Sequence, residues 1–245
     1  LQKQGKYDIN KPAPIPEWQN DERKKITTND LLHMNSGLEW EEAYDKICDA
    51  TKMLFIAEDM GRVQLEKPAA FAPNTHWNYS SGTSNLLSYI LRKQFKTHQE
   101  YLDFWYAQLI DRIGMHSMLI ETDMVGNYVG SSYGWATARD WAKFGLLYLH
   151  KGNWNGDQVF DPSWENYVST PTNDSKEGYG AHFWLNAGGH FPAAPRDMYS
   201  CNGYQGQKVF IIPSLDLVIV RMGLSDEGKY DVNELLAGVI GSFKK

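Results

Sequence analysis

Tyr79 stands where the sequence predicts that an irregular segment turns into a helix. Residues 71–75 before it contain a proline and polar residues, and apolar residues recur with helical spacing over residues 86–91. Such a position can direct a phenol oxygen into a cleft, while the helix fixes the backbone. The same pattern is also typical of an ordinary capped helix, because Ser, Thr and Asn favour the N-cap.

Ser132 is a second candidate for chemistry. It lies in a G-x-S-x-G pattern at residues 130–134, which is the nucleophile-elbow pattern of α/β-hydrolases. That motif needs a buried parallel strand before it, and residues 124–129 make a poor one because they include a glycine and an asparagine. A turn of small residues is therefore favoured. Ser132 stays an alternative nucleophile, with Asp161 and His182 in the order that such a triad needs.

Residues 200–207 contain Gly203 and Gly206 and precede a predicted hairpin. The hairpin consists of apolar strands at 208–212 and 217–220, joined by a short proline-containing link. The glycines are typical of a bulge where a strand begins. They also fit an edge strand whose backbone approaches a ligand closely.

Composition excludes several classes of partner. The net charge of −6 argues against nucleic acid or an anionic membrane, and no apolar run reaches the length of a membrane span. The 7 histidines show no ligand spacing, so we predict no metal and no other cofactor. Cys48 and Cys201 could pair or stay free.

The elements that must position these residues are helices first and strands later. Helical faces are predicted, in chain order, over residues 40–54, 101–113, 141–148 and 232–240. Thr27 and Asp30 have capping-box spacing, Asp161 is an N-cap candidate, and residues 179–185 alternate as a half-buried strand does. This order, with antiparallel strands and a covering C-terminal helix, is typical of an α+β fold.

We treat residues 1–245 as a single domain, mainly helical over 1–177, with antiparallel strands and the C-terminal helix over 178–245. The chain begins with leucine rather than methionine, and its first residues are typical of a helix tail ending at Gly5. Only about three strands are visible, fewer than a stable sheet usually has. We therefore expect that the sequence begins inside a larger protein.

Three stretches together resemble one protein family. Residues 26–38, the Tyr79-Ser80-Ser81 triplet and residues 200–203 are similar, in order and spacing, to segments of serine β-lactamase-like and penicillin-binding-protein-like hydrolases. The resemblance is closest to class C-like esterases and 6-aminohexanoate-dimer hydrolases. It implies a β-lactamase-like fold and hydrolysis of a small amide or ester through an acyl-enzyme on the serine of an S-x-x-K motif.

The resemblance also implies roles for individual residues. Tyr79 would share proton transfer with the motif lysine, whose charge would lower the tyrosine pKa from about 10. Ser81 stands where the family has asparagine. The Gly203 N–H would be one oxyanion donor, and Ser200 and Asn202 would contact the substrate. Ser200 stands where the family has the lysine or histidine of its third motif, the segment that residues 200–203 resemble. The loss of that cation makes true β-lactamase activity less expected.

The S-x-x-K motif falls in the wrong place for this family. Its one match is residues 242–245, after every other motif, and we interpret that match as a frayed tail. We expect the nucleophile helix and the N-terminal strands to precede Leu1. The chain alone would then be inactive, and its own N-terminal segment would be its partner.

Two other functions remain open at this stage. One is a catalytically inactive peptide-binding protein of the cell envelope, the location that the resemblance suggests. The other is an α/β-hydrolase that uses Ser132.

Overall fold

The computed structural model describes residues 1–226 and 229–243. These residues form two compact units. Unit 1 consists of Leu1–Arg112 and Met118–Trp135, and unit 2 consists of Ile113–Ser117 and Ala136–Lys245.

The α-helices of the described residues are, in chain order, α1 (Thr28–Leu32), α2 (Asp49–Phe55), α3 (Met60–Leu65), α4 (Ser81–Arg92), α5 (His98–Trp105), α6 (Ala138–Leu149), α7 (Ser163–Ser169) and α8 (Val232–Phe243). The strands are β1 (Leu119–Ile120), β2 (Gly134–Trp135), β3 (Asn153–Trp154), β4 (Asp157–Gln158), β5 (Trp184–Leu185), β6 (Tyr199–Asn202), β7 (Lys208–Ile212) and β8 (Leu217–Arg221). None of these helices is long and apolar enough to cross a lipid bilayer.

Helix α4 is the centre of unit 1, where it packs against α1, α2, α3 and α5. Its residues Leu86 and Ile90 are buried in an apolar core. The other buried members of that core are Ala13, Ile15, Trp18, Ile26, Leu31, Leu38 and Leu65. Trp18 is fully buried and its indole N–H donates to the Leu65 carbonyl at 2.9 Å, so the proline-rich N-terminal segment is fastened beneath the helices.

Unit 2 is built on an antiparallel sheet with the strand order β5-β6-β7-β8. Helix α6 packs on one face, where Gly145 lies against Val218. Helix α8 covers the other face and buries Leu236 and Ile240 against Phe210 and Ile212. The predicted α+β architecture is confirmed, including the β7–β8 hairpin and the C-terminal helix.

One local prediction at a helix start is confirmed, and another is displaced by one residue. Thr27 and Asp30 form the expected capping box at α1. The N-cap of α7 is Pro162 rather than the predicted Asp161, although the Asp161 carboxylate accepts from the Ser163 N–H at 2.9 Å. Near the N-terminus, Lys6 donates to the Leu1 carbonyl and Gly5 has φ +65°, which is the helix-ending turn expected there.

The helix predicted over residues 40–54 is a partial error. Only Asp49–Phe55 is helical, and residues 40–48 are irregular. Tyr44 and Ile47, assigned to a buried face, are 50% and 80% exposed. The physical reason is that the Glu42 carboxylate accepts from the backbone N–H and the hydroxyl of Ser81 at the start of α4, instead of facing solvent on a continuing helix.

The strand predicted over residues 179–185 is mostly a turn. His182 has φ +60°, Tyr179 pairs with Trp184 across that turn, and only Trp184–Leu185 forms a strand. The apolar residues at 179, 181, 183 and 185 are all buried. The alternation therefore marked burial correctly, but not extended backbone.

The nucleophile-elbow interpretation of Ser132 is wrong. Ser132 lies in a turn in which its N–H donates to the Val129 carbonyl at 3.3 Å. Every strand pair in the described residues is antiparallel, so the parallel central strand that the motif requires is absent from them. Asp161 lies just before α7 and accepts from the Ser163 N–H, and His182 lies in the turn before β5.

The C-terminal S-x-x-K match is only partly described. Ser242 lies in the last turn of α8, where its hydroxyl donates to the Val239 carbonyl at 2.7 Å. Lys244 and Lys245 lie outside the described residues.

Candidate active site

Tyr79 lies just before the first turn of α4, as predicted. Ser80 is the N-cap, and its hydroxyl accepts from the Thr83 N–H at 3.0 Å. Asn78 holds the approach, because its backbone N–H donates to the Met34 carbonyl at 2.9 Å and its side-chain amide donates to the Trp40 carbonyl at 3.1 Å. The half-buried phenol is therefore carried by a backbone that is fixed on both sides.

The surroundings of Tyr79 favour its protonated form. Burial, followed by the negative charge of Glu42, raises the pKa of Tyr79 to about 12. This direction is opposite to the one expected from a neighbouring lysine. At neutral pH the phenol keeps its proton, so it can donate that proton to an oxygen or a nitrogen but needs a nearby cation to act as a base.

Glu42 is the principal residue that sequence reasoning missed. Its carboxylate accepts from the Trp40 indole N–H and the Ser81 backbone N–H through Oε2. Oε1 accepts from the Tyr44 phenol and the Ser81 hydroxyl, at 2.5 and 2.6 Å. Glu42 belongs to no sequence motif. The helix predicted over residues 40–54 also gave no reason to expect its side chain at the start of α4.

Ser81 is engaged by this carboxylate. It is 2% exposed, and both its hydroxyl and its backbone N–H donate to Glu42, at 2.6 and 2.9 Å. Its predicted contact with a lysine or a substrate would therefore have to displace the bond to Glu42. In this structure Ser81 fixes the helix start.

The third-motif segment forms strand β6, which has an open edge at one end. Tyr199 and Ser200 pair with both β5 and β7, whereas Cys201 and Asn202 pair with β7 alone within the described residues. Ser200 is 4% exposed, and its hydroxyl donates to the Asn202 side-chain oxygen at 3.0 Å. Asn202 is therefore the member of this pair that a substrate could reach.

The Gly203 N–H already has a hydrogen-bond partner. It donates to the Gln207 carbonyl at 2.7 Å, inside the tight turn that joins β6 to β7. Gln205 within this turn has φ +53°. Gly203 could act as the predicted oxyanion donor only if it exchanged this bond for one to substrate.

Lys208 supplies a cation that the sequence analysis did not assign. The strand register places Lys208 opposite Asn202 on one side and opposite Arg221 on the other, so the three residues form a row across one face of the sheet. Burial and the neighbouring Arg221 lower the pKa of Lys208. An ammonium group thus lies directly opposite Asn202 in the sheet, two residues from Ser200, where the family resemblance led us to expect a cation.

Arg221 and Tyr230 brace the turn that contains Gly203. Arg221 donates to the Gly206 carbonyl at 2.8 Å, and its guanidinium lies 3.8 Å from the centre of the Tyr230 ring. The Tyr230 phenol donates to the same carbonyl at 3.1 Å.

The predicted site residues thus fall into one group in each unit. Tyr79 and Ser81 are adjacent in unit 1, and Ser200, Asn202 and Gly203 are adjacent in unit 2. In the part of the chain that the structure describes, no cluster of three or more His, Cys, Asp or Glu side chains could hold a metal ion. Both cysteines are free thiols.

Comparison with known proteins gives a consistent likeness. A family model described as Beta-lactamase matches residues 1–235. One similar structure is described as a "Putative 6-aminohexanoate-dimer hydrolase from Bacillus anthracis". It is 21% identical to this chain, with a TM-score of 0.77, and the match covers 98% of this chain and 66% of that protein. This chain thus spans slightly less than two thirds of that protein. No curated protein sequence matches the chain significantly.

Two further structures extend the likeness. A penicillin-binding protein homologue from Caulobacter crescentus is 14% identical, with a TM-score of 0.71, over 97% of this chain and 76% of its own. A family VIII carboxylesterase is 15% identical, with a TM-score of 0.70, over 99% of this chain and 78% of its own. These likenesses confirm the predicted β-lactamase-like fold.

Proposed function

Because the chain belongs to the beta-lactamase family, we propose that the protein is a serine hydrolase that cleaves a small-molecule amide or ester through an acyl-enzyme. The observation that carries this proposal is the position of Tyr79, a half-buried phenol fixed at the start of α4. The two similar structures described as a 6-aminohexanoate-dimer hydrolase and a carboxylesterase support the amide and ester classes.

Tyr79 is proposed to transfer the proton in this reaction. A serine oxygen attacks the substrate carbonyl and the bond to the leaving group breaks. Tyr79 gives its proton to the leaving nitrogen or oxygen, and the proton that the serine hydroxyl loses restores the phenol. A phenol with a pKa of about 12 holds that proton until a strongly basic leaving group forms. Water then hydrolyses the acyl-enzyme and releases the acid.

Asn202 and Lys208 are proposed as the substrate-binding pair of unit 2. Asn202 accepts from Ser200, which leaves its side-chain N–H₂ group to donate to a substrate carbonyl. Lys208, directly opposite Asn202 across the strand pair, would attract a substrate carboxylate. Substrates with an anionic group are therefore expected to be preferred.

A fluorophosphonate probe tests the acyl-enzyme. The full-length protein is treated with the probe, digested and mapped by mass spectrometry, with heat-denatured protein as the control. We expect one labelled serine, followed three residues later by lysine. Our expectation that this serine precedes Leu1 stays a prediction, which the labelled peptide tests directly.

The inactive peptide-binding protein remains the second candidate. Two features favour it: the Gly203 N–H is already bonded to Gln207, and burial together with the charge of Glu42 raises rather than lowers the pKa of Tyr79. An unlabelled but folded protein would support this candidate and would refute the hydrolase. Label on Ser132, lost in Ser132→Ala, would also refute the proposed mechanism.

A further inference from the structure

We infer that Glu42 is the positioning residue that fixes Tyr79 for proton transfer, by holding residues 40–44 against the start of α4. This inference rests on the proposed function, because Tyr79 is the group that Glu42 would position. Glu42 belongs to no motif of the sequence, and it lies 37 residues before Tyr79 along the chain.

The carboxylate of Glu42 has no remaining capacity to bind a substrate. Its two oxygens accept four hydrogen bonds, two from N–H groups of Trp40 and Ser81 and two from hydroxyls of Tyr44 and Ser81. An ionised carboxylate offers about four acceptor sites. Glu42 is therefore saturated by this chain's own donors, which suits a positioning residue rather than a catalytic one.

The donors come from both sides of the junction. Trp40 and Tyr44 lie on the irregular segment, whereas Ser81 is the first residue of α4. The Ser81 N–H is one of the helix N–H groups that have no partner within the helix. A carboxylate satisfies it and is also favoured by the positive end of the helix dipole.

Trp40 also contacts residues before and after Tyr79, namely Asn78 and Gly82. Its carbonyl accepts from the Asn78 side chain at 3.1 Å. Its ring lies so close to Gly82 that a Cβ at residue 82 would be 2.5 Å from Trp40 Cζ3. Residues 78, 81 and 82 are thus all tied to the 40–44 segment, and Tyr79 lies between these ties.

The test is a double-mutant cycle of Glu42 and Tyr79 in the full-length protein. Turnover is measured with a p-nitrophenyl ester, and circular dichroism verifies that each variant is folded. Glu42→Ala removes all four bonds. We expect its kcat to fall about 10- to 100-fold with a smaller change in KM, since a misplaced catalytic group costs up to roughly 10²-fold. In the Tyr79→Phe background the same substitution should cost less than about threefold, because the group that Glu42 positions has gone.

Glu42→Gln separates positioning from charge. A glutamine can accept from the two N–H groups through its oxygen and donate to the two hydroxyls, which rotate to accept. We therefore expect it to keep kcat within about fivefold of wild type. Glu41→Ala is the matched control and should leave kcat unchanged, because Glu41 pairs with the exposed Lys46 instead.

The outcomes separate the two proposals. If Tyr79→Phe abolishes turnover but Glu42→Ala does not reduce it, only the role of Glu42 is refuted. Equal losses from Glu42→Ala in both backgrounds would show that Glu42 acts independently of Tyr79 and would also refute it. Normal turnover in Tyr79→Phe would instead refute the proposed proton transfer, whatever Glu42 does.

Discussion

Helices α4 and α6 begin in similar ways but use their carboxylates differently. At α4, Glu42 reaches the helix start from a separate segment and accepts from Ser81. At α6, Asp140 belongs to the first turn and reaches out to the Ser117 N–H and hydroxyl, at 2.8 and 2.6 Å. Each carboxylate joins a helix N-terminus to an irregular segment.

The difference lies in the counter-charge. Lys143 donates to Asp140 at 2.7 Å, and this bond, with those from Ser117, lowers the pKa of Asp140 to about 2. Glu42 has no ion pair among the described residues, and its charge contributes to the raised pKa of Tyr79. A carboxylate that is neutralised by a lysine of its own helix has a structural role. One that affects the pKa of a neighbouring phenol is a candidate for a functional role.

Tyr79→Phe should give the largest effect, since it removes only the hydroxyl at the functional junction. We expect kcat of the full-length protein to fall about 10²–10⁴-fold, the range typical of a general acid or base. Circular dichroism should show an unchanged fold. Tyr89→Phe, within α4, is the control and should keep normal turnover; equal losses in both variants would contradict a specific role for Tyr79.

Gly82→Ala should break the α4 junction by crowding it. The added Cβ would lie 2.5 Å from Trp40 Cζ3 and 2.6 Å from Gln64 Oε1. We expect a loss of about 1–3 kcal/mol in the free energy of unfolding, measured by urea denaturation. Gly238→Ala in α8 meets nothing within 4 Å and should instead gain up to about 1 kcal/mol. Similar values for the two variants would argue against a tightly packed junction.

Asp140→Asn should give the smallest effect, of about 1 kcal/mol in unfolding free energy at neutral pH, with kcat unchanged. Because the folded-state pKa of Asp140 is lowered to about 2, its contribution is present above the unfolded pKa of about 3.9. It is lost as pH falls from about 4 through 2. Denaturation curves of both proteins should therefore converge at acid pH; a constant difference down to pH 2 would exclude the charge as its cause.

Local sequence signals predicted the elements that depend on neighbouring residues. Capping at Thr27 and Ser80, the β7–β8 hairpin and helix α8 all rest on contacts within a few residues, and all are present. The position of Tyr79 before α4 was predictable for the same reason.

The features that could not be predicted depend on contacts between distant residues. Glu42 meets Ser81 across 39 positions, and this contact replaces helical structure in residues 40–48. The row of Asn202, Lys208 and Arg221 across the sheet depends on the register of three strands. The bond from the Gly203 N–H to Gln207 depends on how the turn closes, which glycine spacing alone does not specify.

Gly145 has a consequence for protein engineering. Replacing a helical glycine with alanine is a common first step toward thermostability, because it reduces the entropy of the unfolded chain. At position 145 the added methyl would meet Val218 Cγ1 at 2.6 Å and Val209 Cγ1 at 3.0 Å, so the hydrogen atom of glycine sets the spacing between α6 and the sheet. A stabilising library should therefore diversify residues 145 and 218 jointly, exchanging volume between them, or leave both unchanged.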